Sequence, residues 1–93
     1  MYKEGSVPMK TIYDKRYILV LKLLKEYRIN SKMTQQELAT LLDSDQAYVS
    51  KYESGQRRLD IIETRSICEV LGIYFPDFVT ELEKLIQEEN NND

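Results

Sequence analysis

The sequence has no histidine, no tryptophan and one cysteine in 93 residues. Without histidine it lacks the side chain that most often moves protons near neutral pH. One cysteine forms no intramolecular disulfide and no thiolate cluster for zinc. Cys68 stands in an apolar helical pattern and fits a small core residue better than a reactive thiol. The glycines, Gly5, Gly55 and Gly72, lie too far apart for a phosphate-cradling loop. Acidic pairs such as Glu81 and Glu83 sit on a solvated helix end. Nothing proposes a reaction, so the chain is expected to be no enzyme and to need no cofactor or metal. The longest aliphatic run, residues 18–21, is four residues, against roughly 18 for a membrane span. The first residues are polar and charged with no apolar leader, which favours a cytoplasmic protein and no membrane partner.

Charge is unevenly placed. Net charge is −3, yet residues 1–58 carry 11 Lys and Arg against 7 Asp and Glu, whereas residues 59–93 carry 2 against 9. A basic front hints at an anionic partner for that half, with the acidic end, Glu88, Glu89 and Asp93 included, read as solvated helix end.

Periodicity predicts an all-α chain of five helices. Residues 1–13, with Gly5, Ser6 and Pro8, show no clean period and read as a flexible arm, within which Met9 is an alternative start; residues 10–13 also fit an extended segment. The domain is expected over residues 14–88, followed by a disordered polar tail over 89–93. Asp14 fits the N-cap of a first helix, with Tyr17, Ile18, Leu21, Leu24 and Arg28 at 3–4 spacing and Asn30 and Ser31 at its end. Thr34 and Glu37 form a capping box for a second helix whose apolar face is Leu38, Leu41 and Leu42. Asp43 suits the left-handed backbone of a three-residue turn, Asp45 caps a third helix with Val49 and Tyr52 inward, and Gly55 stops it. Asp60 and Glu63 form a second capping box, opening a helix with Ile61, Ile62, Ile67, Cys68, Val70 and Leu71 as apolar positions and Gly72 at its end. Pro76 sits near the start of a fifth helix with the stripe Phe78, Val79, Leu82, Leu85 and Ile86.

Two short helices joined by a three-residue turn, with small Ala39 where they cross, are what a helix needs to protrude into a DNA groove while its neighbour braces it. The stretch MTQQELATLLDSDQAYVSKYESGQRRLD resembles the helix-turn-helix of the Cro and lambda-repressor-like family of bacterial and phage regulators. The shared pattern is a Thr-Gln start at Thr34-Gln35, a Leu-Ala pair at Leu38-Ala39, a short turn, and a Ser-x-x-Glu-x-Gly ending at Ser50, Glu53 and Gly55. The likeness spans residues 15–78 and implies a compact five-helix, lambda-repressor-like DNA-binding domain with its helix-turn-helix at helices 2 and 3. The chain departs from the pattern at Asp43, where glycine is frequent, and at Ser44, where an apolar residue is usual.

The resemblance implies base reading by Gln46, Ala47 and Ser50 of a recognition helix over 45–54, and their chemistry agrees: glutamine bonds adenine twice, and an alanine methyl touches that of thymine. Lys51 shares the exposed face and is counted both with the base readers and with the charged phosphate contacts. Phosphate contacts are expected from Gln35, which also braces Gln46, and from Thr34, Lys32, Tyr48, Ser54, Arg57 and Arg58. Some of these have a rival role. Tyr48 lies between the two faces and fits equally a cover for the core. One of Arg57 and Arg58 is expected to pair with Glu53 or Asp60. Asp45 fits a cap better than an acceptor for cytosine.

One recognition helix reads too few bases for high specificity, so a homodimer on an inverted-repeat, double-stranded operator is expected. Its interface is placed on Phe78, Leu82, Leu85 and Ile86, with two alternatives: packing of the same stripe on the first helix, or both at once, with Phe78 and Leu82 inward and Leu85 and Ile86 shared. A transcriptional regulator with no small-molecule ligand follows. A protein-interaction module on the same fold is the rival, and an antitoxin ranks below a plain regulator; other members of the family control restriction–modification or phage genes.

Overall fold

The computed structural model describes residues 14–91. Five helices follow one another: α1 (Lys15–Asn30), α2 (Gln35–Leu41), α3 (Gln46–Glu53), α4 (Ile61–Val70) and α5 (Phe75–Asn91). There is no strand among the described residues. The expected arm over residues 1–13, the choice between Met1 and Met9, and residues 92–93 lie outside them. Residues 89–91, expected as tail, continue α5 instead: Glu88, Glu89 and Asn90 offer no glycine or proline to stop a helix whose last turns are already solvated.

Side chains start the first four helices. The Asp14 carboxylate accepts from the Arg16 backbone N–H at 2.8 Å. Both capping boxes close, Thr34 with Glu37 and Asp60 with Glu63. Asp45 accepts from the Tyr48 N–H at 3.0 Å, which makes it the cap of α3. Each cap satisfies an N–H the helix leaves open and stabilises it by about 1 kcal/mol.

The same four helices end alike. The second residue past each cap bonds back over five residues: Met33 to the Arg28 carbonyl, Ser44 to Ala39, Gln56 to Lys51 and Ile73 to Cys68. This Schellman ending needs a left-handed residue. Gly55 and Gly72 supply it at φ +84° and +76°, and so do Asp43 at +55° and Lys32 at +59°. Asp43 was expected to; Lys32 was not.

The helices enclose one core. α2 packs on α3, α1 on α3 and α5, and α4 on α5. Leu24, Leu38, Val49, Tyr52, Ile67 and Phe78 fill its centre, each buried aliphatic side chain contributing roughly 2 kcal/mol. Ala39 and Cys68 are wholly buried between them. Burial pushes the Cys68 thiol up to about 11, which leaves it protonated and inert.

Several expected core positions lie outside. Ile18, Leu41 and Val79 are exposed, and Ile61 and Ile62 keep 68% and 67% of their surface in solvent. Ile62 falls on the opposite side of α4 from Thr64, Ile67, Cys68 and Leu71, which form the buried stripe, and Ile61 stands in the solvated first turn. On seven-residue α2 only Leu38 and Ala39 are buried, with Leu42 half-buried. Conversely α1 buries Leu19 and Leu23 beside the expected Leu21 and Leu24.

Candidate nucleic-acid interface

α2 and α3 are joined by residues 42–45. The turn closes because Asp43 takes the left-handed backbone and the Ser44 N–H reaches the Ala39 carbonyl at 2.9 Å. Ser44, which brings no apolar contact to this turn, stays exposed. Val49 and Tyr52 anchor α3 beneath. Gln46, Ala47, Lys51 and Ser54 are exposed on its outer side, and Ser50 is half-buried between the two faces.

Behind that outer face lies a polar chain. The Gln46 Nε2 donates to Gln35 Oε1 at 2.7 Å, and the Gln35 Nε2 donates to Glu53 Oε1 at 2.9 Å. Glu53 is held by Arg28, through Nε to Oε2 at 2.7 Å and Nη2 to Oε1 at 3.1 Å. The Arg28 Nη1 also donates to the Met33 carbonyl at 2.7 Å. The side chains of Arg28 and Glu53 are 10% and 4% exposed. Hydrogen bonding to Glu53 raises the Arg28 guanidinium above its ordinary range despite burial, so the guanidinium stays charged. The expected bracing of Gln46 by Gln35 is thus present. The partner of Glu53, however, is Arg28 rather than Arg57 or Arg58: Glu53 turns inward to Arg28 of α1, while Arg57 reaches Glu63 of α4 and Arg58 lies near the Tyr17 ring.

A bent helix pair with a steadied outer face is the arrangement of a DNA-reading helix-turn-helix. A family model described as helix-turn-helix matches residues 24–78 of the chain. The chain belongs to the helix-turn-helix family of Cro and lambda-repressor type. It is also similar to the control protein C.MunI of Mycoplasma sp, 29% identical over 63 residues that cover 68% of this chain and 85% of that protein. This family is one of DNA-binding transcriptional regulators.

In this helix-turn-helix protein the two arginines have separate settings. The Arg57 Nη1 donates to Glu63 Oε2 at 2.6 Å, and its guanidinium lies 4.7 Å from the Tyr48 ring centroid. The Tyr48 hydroxyl donates to the same Glu63 oxygen at 3.0 Å, and its ring meets Tyr52 edge-on. Tyr48 is therefore half-buried in a cluster that ties α3 to α4, its hydroxyl engaged there rather than turned to solvent. Burial, then the Glu63 bond, pushes its phenol up to about 12. Glu63 is held low chiefly by the Asp60 backbone N–H, with Arg57 and Tyr48 adding to it. Asp60, offered as an arginine partner, instead caps α4 through the Glu63 N–H at 2.7 Å. Arg58 is exposed, 5.9 Å from the Tyr17 ring centroid.

The other expected contacts are placed as follows. Lys32 stands exposed at the end of α1, and Lys51 exposed in the last turn of α3. Thr34 lends its hydroxyl oxygen to the capping box, and Ser54 donates to the Lys51 carbonyl at 3.1 Å. Sequence reasoning set Arg28 at 3–4 spacing with Leu21 and Leu24, the signal that it turns inward, but gave it no part here.

On α5 the stripe divides. Phe78 is 2% exposed and belongs to the core, so it is not available to a second copy. Leu82 and Leu85 are half-buried against that core, and Leu82 and Ile86 line a groove with Tyr17 and Val20 of α1. The alternative of packing on α1 is therefore realised for much of the stripe, which leaves Ile86 half-buried and Val79 exposed.

Proposed function

We propose that the protein binds an inverted-repeat, double-stranded operator as a homodimer and lays α3 of each copy in the major groove. Gln46, Ala47 and Ser50 then face the base edges. The observation that carries this reading is the division of α3, with Val49 and Tyr52 fully buried and Gln46 outside, exposed yet bonded to Gln35. An exposed glutamine on a surface helix normally loses side-chain entropy when fixed; here part of that cost is met within the fold, before any base is bound.

Lys32, Lys51 and Arg58 supply the cationic phosphate contacts, which position the protein without specifying sequence. Thr34, Gln35 and Ser54 add neutral ones. Tyr48 and Arg57 keep their bonds to Glu63 and brace α3 rather than reach phosphate. The half-sites lie about one helical turn, roughly 34 Å, apart, and the outward edge of α5, Ile86 with Val79, joins the copies. A relative that bears the name control protein supports a plain regulator over an antitoxin.

Selection from a random duplex pool tests this. An enriched inverted repeat is expected, with preference lost at one position per half-site in Gln46→Ala. Recovery of no motif, with only weak and salt-sensitive binding, would favour the protein-interaction module.

A further inference from the structure

The amide of Gln46 has two chemically different ends, and which one meets a base decides what it reads. Its orientation is set three side chains away. Arg28 donates to both oxygens of Glu53, Nε to Oε2 and Nη2 to Oε1, so both oxygens serve as acceptors. Gln35 must therefore turn its NH2 group toward Glu53 and its oxygen away, and that oxygen receives the Gln46 NH2. Gln46 is left with an unused Oε1 and one remaining N–H. Reversing its amide would set the Gln46 oxygen against the Gln35 oxygen, two acceptors with no proton between them.

We propose that the buried Arg28–Glu53 pair fixes the polarity of the Gln46 amide through Gln35, and that this polarity makes Gln46 select adenine against guanine. The inference rests on the base-reading role of Gln46 proposed above. In the major groove adenine shows the N6 donor beside the N7 acceptor, which match Oε1 and the remaining N–H. Guanine shows O6 and N7, both acceptors, so the fixed Oε1 opposes O6. A freely rotating glutamine would turn its NH2 to guanine. Arg28, Glu53 and Gln35 thus act as positioning residues. Arg28 keeps the carboxylate in place, Glu53 sets the direction, and Gln35 passes it on.

The test uses the full chain and the operator selected above. At the base pair whose preference depends on Gln46, affinities are measured for adenine and for guanine duplexes. The wild-type protein is expected to favour adenine by about tenfold or more, the scale of one bidentate base contact. Gln35→Leu, which leaves the Arg28–Glu53 pair intact, should bring that ratio to within about twofold of unity while preferences at other base pairs persist. Lost phosphate contact alone would lower affinity on every duplex equally and leave the ratio as it was. Glu53→Gln, whose amide either donates or accepts, should relax the ratio in the same way, with its fold checked by thermal melting; where it does not fold, Gln35→Leu decides. An unchanged adenine-to-guanine ratio in Gln35→Leu overturns the inference and leaves base reading by Gln46 standing. Loss of preference at all positions together also overturns it, because α3 would then have lost its seat. If Gln46→Ala changes no preference, base reading itself fails and this inference with it.

Discussion

Tyr52 is fully buried at the centre of the domain, and its hydroxyl has no hydrogen-bond partner among the described residues. Burial raises its phenol well above the ordinary range, and burial with the Glu63 bond takes Tyr48 to about 12. Unfolded tyrosines titrate near roughly 10. The folded state therefore holds both protons more tightly than the unfolded chain does. The resulting stability is fully present below about pH 10 and is lost as pH rises toward the folded values. Urea unfolding midpoints should fall steadily from pH 10 upward, and Tyr52→Phe should flatten that fall. At pH 7 the same variant should match the wild type or exceed it by about 1 kcal/mol, since it removes an unpaired buried group; a clear loss of stability would mean that the hydroxyl is satisfied. Glu53 presents the opposite case. Glu53→Ala leaves Arg28 buried and unpaired and should cost about 3–5 kcal/mol, whereas Arg28→Met with Glu53→Leu should come close to neutral. Denaturant melts of both variants decide this, and a mild effect of Glu53→Ala would remove the buried pair from the account of α3.

Four helices share one ending, but only two of them end on glycine. Lys32 and Asp43 take the left-handed backbone with a side chain present, which costs about 1 kcal/mol each. Asp43→Gly should then stabilise the turn between α2 and α3 by up to about 1 kcal/mol, while Gly55→Ala, at φ +84°, should destabilise by about 1–2 kcal/mol. Chemical denaturation reads both directly. Should Asp43→Gly destabilise instead, the aspartate holds the turn by more than its backbone angle. The connection matters beyond stability, because its angle sets how far α3 stands out from α2.

For the whole molecule, specificity and assembly are linked. Two copies with Lys32, Lys51 and Arg58 each on phosphate would release about six counterions, so the logarithm of affinity should fall against that of salt with a slope near roughly −5. Replacing Lys51 by alanine should lower affinity across sequences and flatten the slope. Sedimentation of Ile86→Glu and Val79→Glu tests the interface: both should shift the protein to monomer at a concentration where the wild type is a dimer. A dimer that survives both changes would move the interface to Ile61 and Ile62, the exposed apolar residues at the start of α4.

Local chemistry was legible in the chain itself. Asp14, Thr34, Asp45 and Asp60 announce helix starts because a cap acts within three residues, and Gly55 and Gly72 announce ends for the same reason. The five helices, the family pattern and the outer face of α3 followed from such short-range signals and from periodicity. The stop at Lys32 carried no such mark, because lysine has no preference for the left-handed backbone that the ending imposes. Periodicity also says which residues share a face, not whether another helix covers it. Ile61, Ile62 and Leu41 therefore read as core yet stay in water, while Phe78, which periodicity left open between interface and core, is enclosed. Arg28 and Glu53 lie 25 positions apart, and only the packing of α1 against α3 brings their charges within bonding distance. The residues exposed on the outer side of α3 were written in the sequence. What holds them in one orientation was decided by tertiary structure, because a buried charge pair exists only where separate helices exclude water around it.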